Sequence, residues 1–182
     1  DGKYVLTGSD IDETAILWNA GTVSEERIFR DRSSVRVAFS PDGKYFLVGG
    51  VIRDLSTGLE LEPRIDLKGY NGTVFSQDGR YLLTVGVGEG GIWDTSTWKK
   101  VRAFTWSTPL CVAFSPDNKY VLTGNRDGGV TIWDAETGAE IRTFSVDTGQ
   151  VFSLVFSPDG KHVLTGSLDD NPKLWNASTW DE

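Results

Sequence analysis

The sequence has no methionine, one cysteine and one histidine in 182 residues, and each shortage removes a class of function. A single cysteine makes no internal disulfide, and Cys111 in "PLCVAF" reads as a small buried hydrophobe. That fits a reducing compartment, so a cytoplasmic location is expected. A metal site needs several ligands converging, and one His with one Cys on different segments does not supply them. No metal or other cofactor is therefore expected. The 18 Lys and Arg form no run and are outnumbered by 26 Asp and Glu, for a net charge of -8, so a phosphate-binding face is lacking and nucleic acid is not an expected partner. No apolar run approaches the roughly 18 residues of a membrane span, and nothing resembles a signal peptide; a membrane is not an expected partner either. A chain that opens on Asp1 without a methionine is read as an internal piece of a longer polypeptide.

What the sequence has is repetition. "DGKYVLTG", "PDGKYFLVGG", "QDGRYLLTVG", "PDNKYVLTG" and "PDGKHVLTG" align on Asp1, Asp42, Asp78, Asp117 and Asp159, which stand 41, 36, 39 and 42 residues apart. A period near 40 built of short alternating segments signals sheets stacked as propeller blades. The cleanest copy, 110–146, shows the unit. "LCVAFS" is a nearly continuous apolar run, the pattern of an inner strand buried on both faces (a). "PDNK" supplies tight-turn residues, "YVLTG" gives strand b, "NRDGG" turns again, "VTIWD" gives strand c, and "EIRTFSV" follows the "AETGA" turn as outer strand d. The fold class predicted is all-β, a propeller of four-stranded antiparallel blades with about five represented over 1–182, at about 1–34, 35–69, 70–107, 108–149 and 150–182. The first lacks strand a and the last lacks strand d, so open edges invite self-association, and the segment is expected to continue in both directions.

At "FSPDGKHVLTGS", "VTIWDAETG" and "ILWN" the chain resembles the WD-repeat (WD40) β-propeller family, in particular its bacterial-type repeats. The family's strand-c Trp matches Trp18, Trp93, Trp133 and Trp175; the acidic position after it is Asp94 and Asp134, with Asn19 and Asn176 elsewhere. Its b–c turn Asp matches Asp127, Asp169 and Asp12, and its strand-b Ser/Thr matches Thr7, Thr84, Thr123 and Thr165. The Gly-His pair that family members carry before strand a is missing, so the His-Ser/Thr-Asp-Trp network cannot form. The Thr and Asp residues are then expected to serve turns and caps. The resemblance implies a noncatalytic scaffold mediating protein-protein or interdomain interaction through loops on one face, with a protein or another domain of the same polypeptide as partner.

Repeated residues read as structural, so function is sought among the departures. His162 stands where the other copies have Tyr4, Tyr45, Tyr81 and Tyr120, which marks it as a strand residue and leaves no catalytic set; the chain is read as not an enzyme. In "VGGVIRD" strand c follows strand b almost directly and Arg53 takes the Trp position, read as a degenerate, weakly stable blade, the alternative being a flattened face that presents an extra positive charge. Arg30, Arg32, Arg53, Tyr70, Trp106 and Asp147 are the candidate partner-binding residues, because Trp, Tyr and Arg dominate binding hot spots. Trp98 and Trp180 replace the c–d turn glycine present as Gly58 and Gly138 and are expected at the surface, where they would stack on a sugar ring in an alternative carbohydrate-binding reading.

Overall fold

The computed structural model describes residues 2–9, 11–30, 37–61, 70–86, 88–106, 109–146, 149–168 and 171–182, with Tyr70 and Asn71 described by their backbone alone. The described residues form seventeen strands in five antiparallel sheets and no helix. Two compact units divide the chain, 1–69 and 70–182.

In the first unit, β1 (Tyr4–Ser9), β2 (Thr14–Asn19) and β3 (Ser24–Arg30) make one sheet, and β4 (Val37–Phe39), β5 (Tyr45–Val48) and β6 (Val51–Asp54) make another. Ala15, Phe46 and Val48 are buried between them, with Phe29 and Phe39 packed alongside. The short copy is a two-residue hairpin. Val48 pairs with Val51 across Gly49 and Gly50, whose φ angles of 57° and 87° are both positive. That backbone matches the right-handed twist of the strands it joins, and only glycine adopts it twice in succession without strain. The outer strand expected after β6 is reduced, among the described residues, to a single bridge between Arg53 and Glu60.

In the second unit, β7 (Tyr70–Phe75), β8 (Tyr81–Gly86), β9 (Gly90–Asp94) and β10 (Lys99–Phe104) form a four-stranded sheet. A second comprises β11 (Pro109–Phe114), β12 (Tyr120–Asn125), β13 (Gly129–Asp134) and β14 (Glu140–Ser145), and β15 (Val151–Phe156), β16 (His162–Ser167) and β17 (Lys173–Asn176) make a third. Strand β11 packs against both β7 and β15, so first strands neighbour one another as inner strands of stacked blades must. Leu83, Ile92, Phe104, Val121 and Trp133 fill the space between the first two sheets, and Leu122, Ile132, Val151, Val163 and Trp175 that between the last two.

Without the histidine network, half of it survives. The indole Nε1–H of Trp18 donates to Thr7 Oγ1 at 2.9 Å, and Trp93, Trp133 and Trp175 donate to Thr84, Thr123 and Thr165 at 3.0 Å each. The strand-b threonines therefore serve the tryptophan, which corrects the expectation that they serve turns. A buried indole N–H needs an acceptor, and strand b supplies one on the diagonal, two residues beyond the residue paired with the tryptophan. Where the tryptophan is lost, the threonine is lost with it: Val48 and Arg53 occupy the two positions in the short copy. Removing both partners leaves no orphan, whereas removing one does.

Two stability predictions follow from these contacts. Thr123→Val should cost about 1–3 kcal/mol, because Trp133, 8% exposed, keeps a buried donor without an acceptor; adding Trp133→Phe should cost less than the sum of the two single changes in chemical denaturation. Val23 holds a φ of 54° in the β2–β3 turn although its side chain is 79% exposed. A β-branched residue in the left-handed region costs about 1–2 kcal/mol with no packing here to offset it, so Val23→Gly should raise the denaturation midpoint of the first unit.

Candidate functional site

The chemistry-bearing residues of this chain sit in its turns, and two turns recur with the same hydrogen bonds. In the a–b turn a serine ends the first strand and an aspartate follows two residues on. Ser40, Ser76, Ser115 and Ser157 donate from Oγ to Asp42, Asp78, Asp117 and Asp159 at 2.6–2.7 Å. Each aspartate accepts the N–H of Lys44, Arg80, Lys119 or Lys161 at 3.0–3.1 Å. Each serine oxygen also accepts the N–H that opens strand b, from Tyr45, Tyr81, Tyr120 or His162. His162 thus enters the turn through its backbone, as its tyrosine counterparts do.

The c–d turn is capped by the residue after the tryptophan. Asp94 Oδ1 accepts from the N–H and hydroxyl of both Ser96 and Thr97 at 2.6–3.0 Å, and Asp134 Oδ1 from the N–H and hydroxyl of Thr137 at 2.7 and 2.8 Å. Asp54 does the same for Ser56 and Thr57. Asn19 and Asn176 reproduce the cap through their amide oxygens, which explains why asparagine substitutes there. In the b–c turn, Asp127 accepts the N–H of Gly129 at 3.1 Å, and Asp12 exchanges hydrogen bonds with Ser9; Asp169 lies outside the described residues.

In the a–b and c–d turns this geometry favours the anionic carboxylate. For Asp42, Asp78 and Asp117, burial pushes the carboxyl upward, but the serine hydroxyl and backbone N–H donors outweigh it and hold each below the usual range. Hydroxyl donors lead for Asp54, Asp94 and Asp159, and the Thr137 N–H for Asp134, again downward. A general acid requires the opposite shift. Cys111 is displaced the other way: burial pushes its thiol up to about 12, and its Sγ donates to Val151 O at 3.3 Å.

The candidates from the sequence are dispersed. Arg30 is exposed at the end of β3, while Arg32, Asp147 and the side chain of Tyr70 lie outside the described residues. Arg53 is folded into its own unit: its guanidinium meets Glu60 at 2.9 Å and lies 5.1 Å from the centre of the Phe29 ring, so the extra charge is neutralised internally. Trp106 is a core residue and not a surface one. At 6% exposure it stacks on Phe104 with centroids 4.8 Å apart, meets Trp133 edge-on at 5.6 Å, and donates from Nε1 to Glu89 O at 2.9 Å. The missed signal was Gly90, paired across the ladder with Phe104, where a Cβ would collide with the Trp106 ring. Trp98 is 9% exposed, against the surface placement expected of it, and Trp180 is half-buried with its ring 6.0 Å from Phe144 on the preceding sheet. Both hold the positive φ of the glycine they replace, 52° and 62°. Sequence reasoning also passed over exposed apolar side chains at b–c turns: Ile11, 94% exposed, in the first unit and Leu168, 60% exposed, in the second.

Residues 98–134 and 138–176 match the profile of the WD domain, G-beta repeat. Eukaryotic translation initiation factor 3 subunit I of Coccidioides immitis is 31% identical over 144 residues, 78% of this chain and 37% of that protein. WD repeat-containing protein 82 of Drosophila melanogaster is 26% identical over 162 residues, 78% of this chain and 50% of that protein. Protein ROOT INITIATION DEFECTIVE 3 of Arabidopsis thaliana is 23% identical over 143 residues, 71% of this chain and 33% of that protein. The chain carries WD40 repeats, and its antiparallel sheets are of the kind that forms propeller blades. It spans between a third and a half of these relatives. All three come from eukaryotes and lend no support to the bacterial-type reading.

The thiol offers a direct check of this packing. Alkylation of Cys111 at pH 8 should run ~100-fold or more slower in the native chain than in urea, because the reactive thiolate is suppressed and the residue is half-buried; comparable rates would place Cys111 at the surface.

Proposed function

We propose that this chain is part of a noncatalytic WD-repeat scaffold that binds another protein, or another domain of the same polypeptide, through the sheet ends bearing the b–c and d–a loops. The observation that carries the reading is the commitment of the recurring serines, threonines and aspartates to turn caps and indole acceptors. Residues that could do chemistry build a rigid frame, and what varies between copies is loop and surface. Such a division, with fixed strands and free loops, is how propellers present binding residues. Relatives named as subunits of a translation initiation factor are consistent with a place in a multi-subunit assembly. Localisation in the cytoplasm belongs to the same reading; no helix among the described residues is long and apolar enough to cross a membrane.

Carbohydrate binding loses one of the two tryptophans proposed for it, since Trp98 is buried, and Trp180 is half-buried against Phe144. The loop reading is tested by cross-linking mass spectrometry on the full-length protein isolated with its partners. Links should concentrate at exposed residues at these sheet ends, such as Arg30 at the end of β3 in the first unit and Arg126 in the β12–β13 turn of the second. Arg30→Glu or Arg126→Glu should lower partner recovery at least fivefold. Links spread evenly over all surfaces, with recovery unchanged by both variants, would contradict the proposal.

A further inference from the structure

An arginine recurs in the outer strand, opposite the residue before the strand-c tryptophan: Arg27 pairs with Leu17, Arg102 with Ile92 and Arg142 with Ile132, each beside a bulge. Two of these arginines reach the c–d turn of the following sheet. Arg27 donates to the carbonyls of Thr57 and Ser56, and a Cβ at Gly58 would collide with its guanidinium. Arg102 passes over Gly138 so closely that a Cβ there would stand 3.3 Å from its Cδ, and its charge helps hold the Asp134 carboxyl down. The latch needs a turn residue without a side chain, and in the second case it meets an aspartate.

The third arginine meets neither. Trp180 stands where Gly58 and Gly138 do, and Asn176 where Asp54 and Asp134 do. Arg142 is exposed and lies over the Phe144 ring, 5.9 Å from its centre. The difference shows in the clefts between sheets. The one between the β7–β10 and β11–β14 sheets has a volume of about 370 Å³, and Arg102 is part of its wall beside Asp94 and Glu136. Its counterpart between the β11–β14 and β15–β17 sheets measures about 510 Å³ and has no cation among the described residues of its wall. Tyr120, Phe156 and Trp180 line it with Ile141, and two carboxylates, Asp117 and Asp159, face it. Their own lysines stand at 3.6 and 4.0 Å and are largely solvent-exposed, a weak form of neutralisation. Tyr120 is 38% and Ile141 52% exposed, so the cleft is open to solvent.

We propose that this larger cleft docks an arginine side chain of a partner protein, in the place that the chain's own arginine takes between the preceding sheets. Aromatic faces with nearby carboxylates suit a planar, weakly hydrated guanidinium better than an ammonium, which holds its water more tightly. The proposal deepens the scaffold reading and rests on it for the partner's being a protein.

The test is a titration of the isotope-labelled chain with short peptides that differ at one position, arginine, lysine or citrulline. Arginine peptide should shift the Trp180 indole N–H and the Ser178 and Gly160 amides saturably; lysine should bind several-fold weaker and citrulline at least tenfold weaker. A second arm uses the double variant Asn176→Asp with Trp180→Gly, which restores both parts of the latch, so that Arg142 closes the cleft from within. Binding of the arginine peptide should fall at least tenfold, while amides remote from the cleft keep their shifts. No movement of the lining residues at millimolar peptide would overturn the proposal. So would equal binding of lysine or citrulline, or undiminished binding by the double variant. If the double variant still recovers the partners of the full-length protein, the docking site fails alone and the loop reading stands.

Discussion

A side-chain oxygen accepting backbone N–H groups inside a tight turn is the constraint on which these sheets depend. Four-stranded sheets joined by turns of a few residues have no room for register error, since a slip of one residue reverses every side chain. Ser115 with Asp117 closes one end of the β11–β12 hairpin, and Asp134 with Thr137 closes the β13–β14 connection. With the turns fixed, Thr123 falls opposite Thr131 and near enough to Trp133 to take its indole proton. Packing between sheets then follows from which face each apolar residue is left on.

The departures are informative because the frame is so regular. The short copy loses its tryptophan and its threonine together, replaces a loop with Gly49 and Gly50, and places Arg53 against Glu60 and Phe29. It is a different solution to the same packing problem, with an ion pair where the others place an indole bonded to a threonine. Trp98 and Trp180 hold a backbone conformation that favours glycine. The cost is sustained only where the ring gains contacts, and burial of Trp98 and the approach of Trp180 to Phe144 supply them.

Much of the fold was legible because the repeat carries its own alignment. The strand types, the inner position of "LCVAFS" and the positive φ at Asn118, which is 60°, all follow from pattern and turn chemistry. Side-chain destinations were less legible. Trp106 reads as a loop aromatic until Gly90 is seen to leave space for its ring. Thr123 reads as a turn residue until the ladder sets it near Trp133. Both depend on a partner in another strand, which linear spacing does not display. The arginine latch was hidden for the same reason: Arg102 and Gly138 belong to different repeats, and neither is unusual in its own.

The account holds that the recurring carboxylates are fixed, ionised parts of the frame. Carboxyl carbon chemical shifts followed through an acid titration test this most directly. Asp42, Asp54, Asp78, Asp94, Asp117, Asp134 and Asp159 should all titrate below the ordinary aspartate value of about 3.9. A member of the set protonating near neutrality would contradict the account, because that residue would be a poised acid and not a turn cap.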